Sequence, residues 1–147
     1  MKIASIKINN FRGYSNEVKF EFDNLTAIIG RNDVGKSTVL EALDIFFNDG
    51  KGVVKLDRHD INRYEFEKGN NEISISICFD NLPESVILDS SFETNLKKEY
   101  LLNSEEQLEV IKRYPNGSSA KVYIKAIHPQ NPKCTDLLLK KNSELKK

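Results

Sequence analysis

Alternation of apolar and polar positions opens the chain. Ile6 and Ile8 fall on one face of residues 2–9, with Ile3 and Ala4 ahead of them, and predict a strand. Asn9, Asn10, Phe11, Arg12, Gly13 and Tyr14 read as a turn, after which Val18, Phe20 and Phe22 alternate as a second strand. An antiparallel hairpin is therefore expected at the N-terminus. Residues 72–79 (EISISICF) set Ile73, Ile75, Ile77 and Phe79 against Ser and Cys, the pattern of a half-buried strand. Leu108, Val110 and Lys112 alternate with Glu109, Ile111 and Arg113, and Val122, Ile124 and Ala126 answer them within residues 121–127. The Asn116, Gly117 pair between these runs is a hairpin signature, so a second hairpin should extend an antiparallel sheet.

Other stretches carry different periods. Residues 25–29 (LTAII) form a short apolar run that predicts a buried strand. Val39, Leu40, Leu43, Phe46 and Phe47 recur at helical spacing, with Glu41 and Asp44 on the other face, and Asn48, Asp49 and Gly50 supply a C-cap. Residues 53–56 suggest a short strand, and Phe92, Leu96 and Tyr100, spaced by four, suggest a helix over residues 92–102. Beyond Pro129 and Pro132, Leu137, Leu138 and Leu139 mark the start of a further helix.

The candidate chemistry lies between the apolar run and the first helix. Residues 30–38, GRNDVGKST, fit the phosphate-binding pattern of glycine, four free positions, then Gly-Lys-Ser/Thr. Gly30 and Gly35 let the backbone turn tightly and approach an anion without a Cβ in the way. The amides of Asp33, Val34, Gly35, Lys36, Ser37 and Thr38 can then converge on a phosphate at the positive end of the helix. Lys36 supplies a mobile charge for the β- and γ-phosphates, and the Ser37 hydroxyl is placed to ligate Mg²⁺. ATP with Mg²⁺ is thus the expected ligand, held by Gly30, Arg31, Asn32, Asp33, Val34, Gly35, Lys36, Ser37 and Thr38.

Composition narrows the setting. The 147 residues suit one domain with a real core, small for an NTPase. Lys plus Arg equal Asp plus Glu at 22 each, so no global field draws the chain to nucleic acid or membrane. No apolar run approaches the roughly 20 residues of a membrane span, and residues 1–5 lack a signal peptide's apolar core. Cys78 and Cys134 are isolated, without metal-ligand spacing, and predict reduced thiols in a cytoplasmic protein.

The opening KIASIKINNFRGY, the hairpin and IIGRNDVGKSTVLEALDIFF together resemble the N-terminus of RecF- and SMC-type ABC ATPase heads. Most of all they resemble the AAA-type ATPase domain of overcoming-lysogenization-defect (OLD) family nucleases. The likeness covers residues 1 to about 50 well and the remainder loosely. It implies an α/β P-loop NTPase fold, here the N-terminal lobe of an ABC-type head with an antiparallel β-subdomain. It also places the turn of residues 10–13 beside the nucleotide, with Arg12 near the phosphates or base. Spacing alone reads Arg12 as a solvated turn residue. In such heads an arginine from the region after the first helix approaches the γ-phosphate, for which Arg58 and Arg63 are candidates. Gln130 is open as either a Q-loop glutamine or an exposed loop residue.

Several patterns attract chemistry without completing it. His59 between Asp57 and Asp60 has no second His or third carboxylate at ligand spacing, so a polar loop is expected. His128 stands alone beside Pro129. Val86, Ile87, Leu88 and Asp89 look like a shortened Walker B strand, but Pro83 lies just upstream and no catalytic Glu follows Asp89; an ordinary strand or loop is expected. No LSGGQ-type signature and no Toprim carboxylate cluster are legible. Residues 1–147 are therefore expected to be a single ATP-binding domain, the lobe of a longer ATPase whose heads dimerise and which acts on DNA in metabolism or phage defence. Alone, they should bind ATP without hydrolysing it. A complete small P-loop kinase or GTPase, or a non-catalytic nucleotide-binding module, are the alternatives.

Overall fold

A computed structural model describes residues 1–29, 35–89 and 92–128. The centre is an antiparallel sheet of five strands. In chain order these are β1 (Lys2–Asn9), β2 (Val18–Glu21), β3 (Glu72–Asp80), β6 (Leu108–Pro115) and β7 (Lys121–Lys125), arranged β2-β1-β3-β6-β7. Between β3 and β6 the chain makes a separate two-stranded hairpin of β4 (Val86–Asp89) and β5 (Phe92–Thr94). Both hairpins read from the alternation are present, with Ile6 opposite Phe20 and Val110 opposite Ile124.

One face of the sheet carries the core. Ile6 and Ile8 of β1 lie beside Ile77 and Ile75 of β3, and all four are fully buried. Against them packs α1 (Lys36–Asn48), through Val39, Ala42, Ile45 and Phe46. Leu40 and Phe47, expected inside, are 61% and 54% exposed. At about 100° per residue they stand roughly 80–100° round the helix from Val39, on the flank of the contact. Asp49 and Gly50 end the helix in left-handed conformations, and the Gly50 N–H donates to the Ile45 carbonyl at 3.0 Å, as the C-cap reading required.

Three predicted elements do not form. Residues 25–29 lie outside any strand, with a bend at Leu25, and Leu25 and Ile29 are 91% and 90% exposed. An apolar run becomes a strand only where a neighbour accepts its backbone hydrogen bonds, and among the described residues none does. Residues 53–56 are a loop closed by one bridge between Lys51 and Lys55; the Val54 N–H donates to Asp44 at 2.9 Å and Val53 faces solvent. Residues 92–102 give the short β5 and then a turn rather than a helix. The Asn95 side chain accepts the Lys98 N–H at 2.8 Å, a local competitor to helix, and Tyr100 turns left-handed at φ 54°. The helix read near Leu137, Leu138 and Leu139 lies outside the described residues, as do Cys134 and Gln130.

The other sheet face is polar and holds a buried ion pair. Glu109 is 3% exposed, and its carboxylate accepts from Lys7 Nζ at 2.7 Å, Asn103 Nδ2 at 3.1 Å and Ser76 Oγ at 3.3 Å. Burial pushes the Glu109 carboxyl up, but the hydrogen bonds from Lys7 and Asn103 and the charges of Lys7 and Lys125 outweigh it and hold it below the usual range. Burial likewise works against the Lys7 ammonium, and the contact with Glu109 overcomes it and raises its pKa.

Candidate functional site: the head of the first helix

Gly35 stands at the N-cap of α1 with φ 81° and ψ 19°, a left-handed conformation costly for residues with a Cβ. A Cβ there would also come within 2.9 Å of Tyr14 Oη, which donates to the Gly35 carbonyl at 3.3 Å. No side chain caps α1, and its first turn contains no acidic residue. Among the described residues the positive end of the helix thus has no acidic residue in its first turn, and Lys36 and the exposed Ser37 begin it. These features fit a phosphate group: helix amides for its oxygens, a lysine, a hydroxyl for a cation, and no acidic residue in the first turn. Thr38 begins the regular helix, its N–H donating to the Gly35 carbonyl at 3.1 Å. Gly30, Arg31, Asn32, Asp33 and Val34 lie outside the described residues.

Arg12 is far from a freely solvated turn residue. Its backbone is left-handed at φ 48°, and the Arg12 N–H donates to the Asp60 carbonyl at 2.7 Å. Its Nε donates to Asp60 Oδ1 at 2.8 Å, and Nη1 pairs with Glu41 of α1. The Asn62 side chain donates to the Arg12 carbonyl at 2.6 Å, and the buried Asn10 side chain donates to the carbonyls of Asn70 and Glu72. The turn is therefore fastened at once to the loop, to α1 and to the segment after it. Asp60 and Glu41 stand in the sequence only as a carboxylate beside His59 and a polar helix position, and nothing there marks them, Tyr14 or Asn62 as partners of this site. The Asp-x-x-Asp spacing of Asp57 and Asp60, which here forms a capping box on the short 3-10 helix Arg58–Asp60, resembles the signal that marks a helix start.

The other candidates lie elsewhere. The Arg58 guanidinium lies over the Phe66 ring at 4.7 Å, and Arg63, in the short α2 (Arg63–Glu67), pairs with Glu67 in solvent. The His59 N–H donates to the capping Asp57 side chain at 2.6 Å. Val86–Asp89 is β4, in the outlying hairpin, with Ile87 74% exposed. Among the described residues, no three His, Cys, Asp or Glu gather as a metal site, and no helix is long and apolar enough to cross a membrane.

An antiparallel sheet with a helix packed on one face is a fold shared with solved SMC heads. The structure from work on ATP-driven dimerization and DNA-stimulated activation of SMC ATPases aligns at a TM-score of 0.57, with 16% identity, over 95% of this chain and 78% of that one. The Smc head domain with coiled coil and joint from Pyrococcus yayanosii aligns at 0.55, with 19% identity, over 94% and 25%. At these identities the likeness is one of fold. The sequence pattern of the AAA ATPase domain family matches residues 1–147, and the chain belongs to that family. The DNA double-strand break repair Rad50 ATPase of Pyrococcus abyssi is 30% identical over 133 residues, 89% of this chain and 14% of the relative. ABC transporter B family member 15 of Arabidopsis thaliana is 34% identical over 65 residues, 44% of this chain and 5% of the relative. The chain thus spans a small fraction of the curated relatives it matches. Membership in an ATPase family makes ATP the nucleotide implied.

Proposed function

We propose that residues 30–38 bind Mg-ATP and that the chain is the nucleotide-binding lobe of a longer, SMC- or Rad50-like ATPase. The observation that carries this reading is the head of α1: left-handed Gly35, no capping side chain, no first-turn acid, and Lys36 and Ser37 at the start of the helix. In it, Lys36 neutralises phosphate charge, the first-turn amides orient the phosphate oxygens, and the Ser37 oxygen holds Mg²⁺. Bound Mg²⁺ supplies further charge neutralisation at the phosphates. Arg12, paired with Glu41 of the same helix, adds a cation to the rim. The exposed apolar run at residues 25–29 supports the lobe reading, since it is suited to pairing with strands from elsewhere in a longer chain.

The whole protein, in this proposal, acts on DNA through ATP-dependent dimerisation of its heads. The Rad50 relative is named for DNA double-strand break repair, and one SMC structure for ATP-driven dimerization. The resemblance of residues 1 to about 50 to OLD-family domains further suggests a nuclease partner domain and a role in phage defence.

Calorimetry with Mg-ATP tests the core of this reading. Lys36→Ala should lose a charge-assisted phosphate contact worth on the order of 2–4 kcal/mol, a factor of tens to hundreds in affinity. Equal affinity of mutant and parent would remove the nucleotide assignment. In the same preparations residues 1–147 should turn ATP over no faster than Lys36→Ala. Robust turnover lost in Asp89→Ala would instead identify Asp89 as a Walker B acid and the lobe as self-sufficient.

A further inference from the structure

Three of the contacts that hold Arg12 end on one residue or its near neighbour. Asp60 Oδ1 accepts from Arg12 Nε at 2.8 Å, the Asp60 carbonyl accepts from the Arg12 N–H at 2.7 Å, and Asn62 grips the Arg12 carbonyl at 2.6 Å. The second Asp60 oxygen is itself fixed, accepting the Asp57 N–H at 3.0 Å within the capping box. Asp60 is thus a rigid anchor, 48 residues away in sequence, for both the backbone and the side chain of Arg12.

The clamp has a defined address. Glu41, on its other side, stands in the second turn of α1, five residues beyond Lys36. Tyr14, two residues beyond Arg12, touches the Gly35 carbonyl. Asp60 and Glu41 pair with Nε and Nη1, and the guanidinium carbon lies 5.1 Å from the centre of the Phe11 ring. Arg58 and Arg63 have no such attachment: one lies on Phe66 and the other, 92% exposed, pairs with Glu67. A turn arginine kept only for solubility has no use for a left-handed backbone and three anchors.

We propose that Asp60 is the positioning residue for Arg12: it orients the guanidinium beside α1 toward the phosphates of the bound nucleotide. The inference rests on the nucleotide reading above. Asp60 touches no ligand and acts through Arg12.

The test is a double-mutant cycle on the full chain, with Mg-ATP as the probe in calorimetry and circular dichroism as the check on folding. Arg12→Ala and Asp60→Ala should each weaken Mg-ATP by about tenfold. The Arg12→Ala/Asp60→Ala double variant should bind no more weakly than Arg12→Ala, because the anchor has lost what it anchors. Asp60→Asn retains an acceptor for Nε and should recover most of the affinity. Asp57→Ala disrupts the same capping box from its other end without touching Arg12, and should stay within about twofold of the parent. If Asp60→Ala does not fold, Asp60→Ser keeps a short capping oxygen for the Asp57 N–H while falling short of Nε, and stands in its place. Multiplicative losses in the double variant, or an Asp57→Ala loss equal to that of Asp60→Ala, would reduce Asp60 to a cap of its own short helix. Unchanged affinity in Arg12→Ala would also overturn the proposal while leaving the nucleotide site intact, whereas only unchanged affinity in Lys36→Ala removes the site itself.

Discussion

Replacing Gly35 with alanine tests whether the head of α1 is built as described. Two costs can be worked from the geometry. Holding an L-residue at φ 81° costs about 1–2 kcal/mol. The new Cβ would sit 2.9 Å from Tyr14 Oη and 3.3 Å from its Cζ, so the ring must swing away and forfeit its hydrogen bond to the Gly35 carbonyl. That bond is worth about 1 kcal/mol. Together the strain is about 2–3 kcal/mol. It can appear in either of two places. If the loop holds its shape, urea unfolding followed by circular dichroism should show the full loss of stability. If the backbone relaxes toward negative φ, stability is spared, but the first-turn amides rotate and Mg-ATP affinity falls instead, by about tenfold for every 1.4 kcal/mol redirected. Tyr14→Phe separates the terms, since it removes the hydroxyl and its clash together; in that background the alanine should cost only the conformational part. A Gly35→Ala protein with unchanged stability and with Mg-ATP affinity within twofold would show that Gly35 is not held left-handed against Tyr14.

The remaining predictions address the cation, the buried pair and the distal hairpin. Ser37→Ala should weaken ATP binding measured with Mg²⁺ more than binding measured in EDTA, because the hydroxyl is assigned to the metal; equal losses would leave it a packing role only. Glu109→Ala leaves Lys7, Asn103 and Ser76 without their acceptor and should cost about 2–3 kcal/mol, below the usual figure for a broken buried pair because Lys7 can still reach water. Since the folded Glu109 carboxyl titrates below its unfolded counterpart, its contribution is present above the unfolded value near 4.3 and disappears as pH falls through the folded one. Stability curves of parent and mutant should therefore converge in acid, and parallel curves down to pH 2 would contradict the pairing. Gly117→Ala would place a Cβ 2.3 Å from the Asp57 carbonyl oxygen at φ 65°, and should lower stability by about 2 kcal/mol or more in thermal unfolding. An unchanged melting temperature would mean the β6–β7 turn does not rest on that segment.

What could be read from sequence were the features set by local period and local chemistry. β1, β2, β3 and β6 follow from alternation because each has one face on the core, and that face repeats every second residue; β7 alternates too, though all five of its residues are exposed. The Asn116, Gly117 turn and the Asp49, Gly50 cap follow because left-handed positions select those residue types. The glycine at the head of α1 is legible for the same reason: a left-handed backbone packed against Tyr14 tolerates few alternatives at Gly35.

Tertiary structure decided what depends on partners distant along the chain. Whether residues 25–29 become a strand turns on a neighbour to accept their hydrogen bonds, which apolar composition does not supply. Which flank of α1 is buried depends on how the helix lies on the sheet, so Ala42 and Ile45 are inside while Leu40 and Phe47 are exposed. Lys7 and Glu109 meet across 102 residues, and an alternating strand gives no sign that its polar face will close over a carboxylate. Arg12 is the sharpest case. Its sequence neighbours describe a solvated turn, and only the fold brings Glu41 and Asp60 to it, because charge pairing is governed by distance in space and leaves no period along the chain.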